Sequence, residues 1–262
     1  MIYLDYSATT SVDPRVIDVM TPFFSDSFGN PSSVHRYGQI AEAAVDSARE
    51  TVASVLNCKP EEILFTSCGS ESDNLAIRGA AYAMREKTGA KWILASRAEH
   101  PAVTKTLLHL EKYDGFLIEW LDVDEQGMVT PESVSRAICE DTALVSVMYA
   151  NNEIGTINSI REIAEVCRAN QILFHTDAVQ AAAYLPVDVQ ALSVDMMSLG
   201  AHKFYGPKGV GALYVRKGTP LVSHLTGGGQ EFNLRAGTQN VPYIVGLAEA
   251  LRLTNEEREQ RV

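Results

Sequence analysis

The stretch SLGAHKFYGPKGVGALYV sets a lysine, Lys203, beside His202 at the end of an apolar run, with a glycine-rich loop directly behind it. An amine condenses with an aldehyde only in its neutral form, and burial or nearby cations push an ammonium toward that form. Pyridoxal phosphate is the cofactor that uses this linkage most widely, and its ring accepts electrons released at a substrate's alpha carbon. The ring nitrogen requires a carboxylate, and Asp177 stands at the end of the run ILFHT. The phosphate requires a helix N-terminus with small residues, which Gly69 and Ser70 supply. The phenolic oxygen requires an uncharged donor, either Gln180 or Asn152, and His100 is suited to stack on the ring or relay protons.

Each of these residues also has a purely structural reading. A lysine among glycines is commonly a solvated loop residue, Asp177 can cap a helix from Ala178, His100 can start one at Pro101, and Asn151-Asn152 can form a turn. Ser70 reads as an N-cap either way, with Glu71 and Asp73 in the first turn behind it. The GPKGVG loop is not a P-loop, because it lacks the Gly-Lys-Ser/Thr ending and precedes a strand.

The elements that must hold these residues alternate along the chain. HRYGQIAEAAVDSARETVASVL has apolar residues at helical spacing, and EEILFTS reads as a buried strand. SESDNLAIRGAAYAMRE is a helix, WILASRA a strand, PAVTKTLLHLEKY a helix and GFLIEWLDV a strand. PESVSRAI (helix), TALVSVMYA (strand), SIREIAEVCRAN (helix) and ILFHTDA (strand) follow. This rhythm predicts an α/β fold, a mainly parallel sheet with helices on both faces. Ligands of such sheets sit beyond the carboxyl ends of the strands, where Cys68 to Ser70, Glu99-His100, Asn151 to Glu153, Asp177 with Gln180, and Lys203 all fall.

The 262 residues suffice for one large or two small domains. With 22 basic against 33 acidic side chains the net charge is −11, which argues against nucleic acid as a partner. No apolar stretch approaches ~20 residues and the start lacks a basic, then apolar, leader, so the expectation is a cytoplasmic protein without a membrane partner. Cys58, Cys68, Cys139 and Cys167 form no C-x-x-C pair, so no metal site or disulfide framework is expected and most should be buried small residues.

Taken together, LDYSATT, GNPSSVH, FTSCGSESDNLAI, EHPAV, NNEIGTI, HTDAVQ, HKFYGPKGVGALYVR, GGGQE and RAGTQN resemble the cysteine desulfurases. These are pyridoxal-phosphate enzymes of the class V aminotransferase group with the fold-type I architecture, whose large domain has a mainly parallel, seven-stranded sheet between helices. The resemblance implies that Lys203 carries the cofactor, Asp177 pairs with its ring nitrogen and Gln180 bonds its ring oxygen. It implies that His100 stacks on the ring and moves protons, and that Asn152 lies close to cofactor and substrate. Gly69, Ser70, Gly200 and His202 would bind the phosphate. Thr238 would reach the phosphate of a partner subunit, making a homodimer, and Asn30 would line the substrate entrance. The implied reaction takes sulfur from L-cysteine to leave L-alanine, through an enzyme persulfide that serves an iron-sulfur scaffold or another sulfur acceptor.

The chain also departs from the family pattern. Family members continue past the position of Val262 into a small domain that carries the nucleophilic cysteine loop, and none of the four cysteines here lies in that motif. Cys68 adjoins the phosphate loop but reads as a packed small side chain. Gly200-Ala201 stands where many relatives have a serine, a lost contact worth ~1 kcal/mol. GSE replaces the commoner ATE in the phosphate loop. The expected division is residues 1–12 as a small-domain segment with a strand around Ile2 to Leu4, 13–255 as the cofactor-binding large domain, and 256–262 as the start of a further domain. Little turnover is expected from this chain alone. The competing readings are a selenocysteine lyase, another class V aminotransferase-type enzyme, and a non-catalytic scaffold that binds the cofactor.

Overall fold

The structure is a computed structural model that describes residues 2–261. Seven strands build one sheet: β1 Ile63–Thr66, β2 Trp92–Ser96, β3 Leu117–Leu121, β4 Thr142–Ser146, β5 Leu173–Asp177, β6 Met196–Gly200 and β7 Gly211–Val215. The longer helices are α1 Pro14–Met20, α2 Arg36–Leu56, α3 Gly69–Thr88, α4 Pro101–Asp114, α5 Pro131–Ala137, α6 Ile160–Ala169 and α7 Val241–Glu256.

The sheet order is β1-β7-β6-β5-β4-β2-β3. From β3 to β6 every neighbouring pair is parallel, while β7 runs antiparallel to both β6 and β1. All strands but β7 therefore point one way, and their carboxyl ends share one edge. Gly211 explains how the chain turns back beside β6: a Cβ there would stand 2.6 Å from the Cys68 carbonyl carbon and 2.7 Å from the Leu199 oxygen.

Side-chain alternation feeds two cores. Ile63 and Phe65 face α1, α2, α5, α6 and α7, whereas Leu64 faces α3 and α4 with Leu75, Ile77, Val103 and Leu107. Burying each such side chain stabilises the fold by roughly 1.5–3 kcal/mol. Along the α3 side, at the sheet centre, the alternation delivers polar residues: Ser146 of β4, His175 of β5 and Ser198 of β6 are all fully buried. His175 Nδ1 lies 2.9 Å from Ser146 Oγ and its Nε2 2.9 Å from Ser198 Oγ. Burial lowers the His175 pKa to about 3, so the ring is neutral at pH 7.

The mainly parallel sheet, both helical layers and the order of elements along the chain agree with the sequence reading. Two expectations fail. Ile2 and Leu4 form no strand and are each 84% exposed, because no described strand lies beside them to pair with their backbone. Of the cysteines only Cys167 is buried; Cys58 and Cys68 are half-buried at loop edges and Cys139 is exposed after α5. Among the described residues no helix is long and apolar enough to cross a membrane, and no group of three or more His, Cys, Asp or Glu could hold a metal ion.

Candidate functional site

A cavity of about 300 Å³ opens at the carboxyl edge of the sheet. The structure brings Gly69, Ser70, His100, Asn152, Asp177, Gln180, His202 and Lys203 to its wall. Five separate strand ends contribute, which is why Gly69 and Lys203, 134 positions apart in the chain, meet there.

At one end lies the start of α3. Its N-cap is Cys68, in extended backbone, and no side chain caps the helix. Ser70 is therefore not the N-cap expected from its type, and Glu71 is the first-turn acid while Asp73 lies deeper in the helix. The boundary moves because Ser72 N–H and Oγ both bond the Cys68 carbonyl, and Ser72 Oγ lies 2.8 Å from Thr66 Oγ1. The uncapped N–H groups of this first turn suit an anion. A Cβ on Gly69 would stand 2.6 Å from Val179 Cγ2, so a glycine lets the helix begin against the 177–180 turn. Gly200 backs the same corner: its Cβ would lie 3.2 Å from Val179 Cγ1 and 3.4 Å from Gly69 N. His202 Nδ1 is 3.1 Å from Thr9 Oγ1, and burial, then Lys203, Lys208 and His100, lower its pKa.

At the other end Asp177, 5% exposed, closes β5 and accepts a hydrogen bond from Val179 N–H at 2.9 Å. No helix begins at Ala178: the next helical turn is Ala181–Ala183 with Gln180 as its N-cap, so Asp177 bonds a turn N–H and is not a helix cap. Burial raises its pKa, opposed by the Val179 bond and by the His100 and Lys203 charges. Gln180 follows, with a buried Oε1 that has no hydrogen-bond partner among the described residues. His100 is the N-cap of α4 and accepts Ala102 N–H at Nδ1, 3.1 Å, so its neutral ring carries the proton on Nε2. Asn151 shapes the neighbouring turn by accepting from Glu153 and Ile154 N–H, and Asn152 donates to Glu153 Oε1 at 3.0 Å.

Lys203 sits in the single turn after β6, half-buried, and its Nζ donates to the Ser7 carbonyl. Burial lowers its pKa, opposed by Asp177, Asp5 and Glu153. That is the direction required for an amine that must react in its neutral form.

Asn30 and Thr238 lie away from this wall. Asn30 is exposed and accepts Ser32 N–H at 3.0 Å within a turn. Thr238 is exposed and borders a different cavity of about 240 Å³ beside Arg235 and Gln239. Ala8, Cys68, Asp73, Met148 and Val179 line the main cavity without having been singled out as site residues. Asp73 alone had a usable signal, since it follows Gly69 by four positions and so shares its helix face.

The donor set fits pyridoxal phosphate: a partly desolvated amine, a buried carboxyl, an uncapped helix start, and the orphaned buried oxygen of Gln180.

Residues 2–262 match the family described as aminotransferase class-V. A cysteine desulfurase IscS of Dictyoglomus turgidum is 48% identical over 261 residues, covering 100% of this chain and 66% of the relative. A solved NifS-like protein superposes with a TM-score of 0.95 at 43% identity, covering 99% of this chain and 71% of that one. A structure described as SspA in complex with cysteine gives a TM-score of 0.91 at 42% identity, with 96% and 72% covered. The chain spans about two thirds of the length of the curated relatives it matches. On its fold, its site and this likeness, the chain belongs to the class-V aminotransferase family, on the cysteine desulfurase branch.

Proposed function

We propose that the chain binds pyridoxal phosphate in this cavity and serves the removal of sulfur from L-cysteine, leaving L-alanine. The observation that carries this reading is the convergence of an amine, a carboxyl, an imidazole and an uncapped helix start on one cavity of about 300 Å³. The cofactor, when bound, draws electrons from the substrate's alpha carbon.

The chain's own residues do the rest. Lys203 would hold the cofactor through Nζ and, as a free amine, would take and return the substrate's alpha proton. Asp177 holds the proton of the ring nitrogen in place, and the arriving pyridinium charge favours its ionised form over the neutral form that burial favours. His100 would stack on the ring and move a proton at Nε2. Gln180 bonds the ring oxygen, and Asn152 orients the substrate side. Gly69, Ser70, Gly200 and His202 grip the phosphate. The sulfur passes to a thiolate as a persulfide while the substrate carbon gains a proton, giving alanine. Burial pushes the Cys58 and Cys167 thiols up to about 12, which makes both poor nucleophiles. The sulfur-accepting thiol is assigned to neither, and this chain alone is expected to form little alanine.

The same reading includes a homodimer in which Thr238 reaches the partner's phosphate, an entrance lined by Asn30, and a protein partner that accepts sulfur. It keeps the division into residues 1–12, 13–255 and 256–262, and a cytoplasmic setting.

Incubation with pyridoxal phosphate, borohydride reduction and peptide mapping test it. A reduced adduct on Lys203, lost in Lys203→Ala, is expected. No adduct, or one spread over surface lysines, overturns the reading.

A further inference from the structure

Asp73 has no role in the chemistry above, yet it lines the cavity, is 1% exposed, and its Oδ1 has no hydrogen-bond partner among the described residues. It projects from α3 toward the polar row under the cavity, where His175 Nε2 stands 3.7 Å from Oδ1. His175 is held by Ser146 Oγ at Nδ1 and by Ser198 Oγ at Nε2, 2.9 Å each, so both ring nitrogens have partners without Asp73. We propose, resting on the cofactor reading, that Asp73 is a positioning residue for Asp177: a second buried carboxyl that retains a proton, so that Asp177 alone presents negative charge to the bound ring.

The surroundings decide which carboxyl keeps the proton. Asp177 faces the Lys203 amine and the His100 imidazole and has the Val179 N–H bond. Asp73 faces Asp177 and His175 on β5, Glu99 beyond β2 and Cys68 before its own helix, and gains support only from Ser198 on β6. Burial and then Asp177 hold its pKa well above the usual carboxylate range. Among the remaining neighbours of α3, Arg235 is taken up by Glu71 in the first turn, α4 meets α3 through Thr106 on Asn74 and His109 on Arg78, and Tyr214 of β7 packs in the opposite core. Two carboxyls in one desolvated site do not both ionise readily, as in acid pairs generally.

The sign of the test follows from linkage. A carboxyl with a raised folded pKa leaves the folded state holding the extra proton, so stability falls as pH rises from the unfolded carboxyl range toward the folded value. Asp73→Asn removes that share of the slope, and Asp177 and Glu99 keep theirs. The full chain without cofactor is melted between about pH 5 and about pH 9. The midpoint of Asp73→Asn relative to wild type is expected to rise by at least about 3 °C across that range. A difference that stays constant with pH means a merely structural role and overturns the proposal. Asp73→Ser, which cannot titrate and is smaller, repeats the comparison if the amide fails to fold.

Absorbance titration with pyridoxal phosphate at neutral pH supplies the second arm. Asp73→Asn should bind within about threefold of wild type while Asp177→Asn binds more than about tenfold weaker. Equal losses in the two variants would make Asp73 a charged partner of the ring and overturn the proposal. Failure of the wild type to bind at all would sink the cofactor reading, and the melting slope would still decide whether Asp73 keeps its proton.

Discussion

Midway along α2, Arg49 meets Glu231 through two hydrogen bonds of 2.9 Å, and the same carboxylate accepts Phe65 N–H at 2.8 Å and the Gln239 amide at 2.6 Å. At the cavity, Asp73 in its wall and Glu99, which bonds the lining residue Met148, each keep an oxygen without a partner among the described residues, and Asp177 has only Val179 N–H. Both regions bury carboxyls to 7% exposure or less, so burial does not distinguish them. Pairing does. A carboxylate whose every lone pair is met by fixed donors is part of the framework, and here it holds Glu231, Phe232 and Asn233 in a run of positive φ that such residues rarely adopt. Carboxyls left short of donors are costly to ionise, and burial shifts each of them toward its neutral form.

The largest expected effect lies at the framework pair. Arg49→Met leaves Glu231 buried with fewer donors, frees the Ile63 carbonyl that Arg49 also bonds, and should lower unfolding stability by roughly 3–5 kcal/mol. Urea denaturation of the purified variant measures this. A loss below about 1 kcal/mol would show that the pair is no more than a surface-like bridge and would erase the contrast between the two regions.

A smaller effect of opposite sign is expected at the cavity. Burial raises the pKa of Glu99 to about 8, although its Oε1 accepts from Ser96 Oγ at 2.9 Å and Met148 N–H at 3.0 Å. Its folded pKa exceeds the unfolded value of about 4.3, so the folded state holds the extra proton in that window and stability declines from about pH 4 to about pH 8. Glu99→Gln should flatten this decline and be more stable than wild type by on the order of 1 kcal/mol at pH 8 or above. Thermal melts at several pH values check it. Equal curves for both proteins would mean that Glu99 is already ionised in the fold and behaves like Glu231.

The contrast also shows what could be read from the letters. The alternation of apolar runs with helical periods predicted the sheet and its two helical layers, because burial on both faces of a parallel sheet imposes that pattern on the chain directly. Lys203, Asp177, Gln180 and His100 were legible because strand ends collect ligand residues and each follows an apolar run. The lack of a strand at Ile2 to Leu4 was not legible, since an apolar segment does not say whether a partner strand will lie beside it. Nor was the Arg49 to Glu231 pair, whose members are 182 positions apart with no periodic relation. Asp73 was misjudged as a first-turn helix acid because the helix start was set one side of Gly69 rather than the other.

That boundary leads to the smallest effect, and it refines the phosphate end of the comparison. An N-cap serine replaced by alanine costs ~1 kcal/mol, because a helix N–H loses its acceptor. Ser70 is instead the second residue of α3, exposed, with no capping bond from its side chain, and Asn74 Nδ2 bonds its carbonyl rather than its hydroxyl. Ser70→Ala should therefore change the stability of the cofactor-free chain by less than about 0.5 kcal/mol. Its affinity for pyridoxal phosphate should fall about three- to tenfold, since a hydroxyl bond to a charged phosphate is worth more than a neutral one. Melting and absorbance titration on the same preparation separate the two. A stability loss near 1 kcal/mol with unchanged affinity would return Ser70 to the framework class, beside Glu231 and apart from the residues that wait for a ligand.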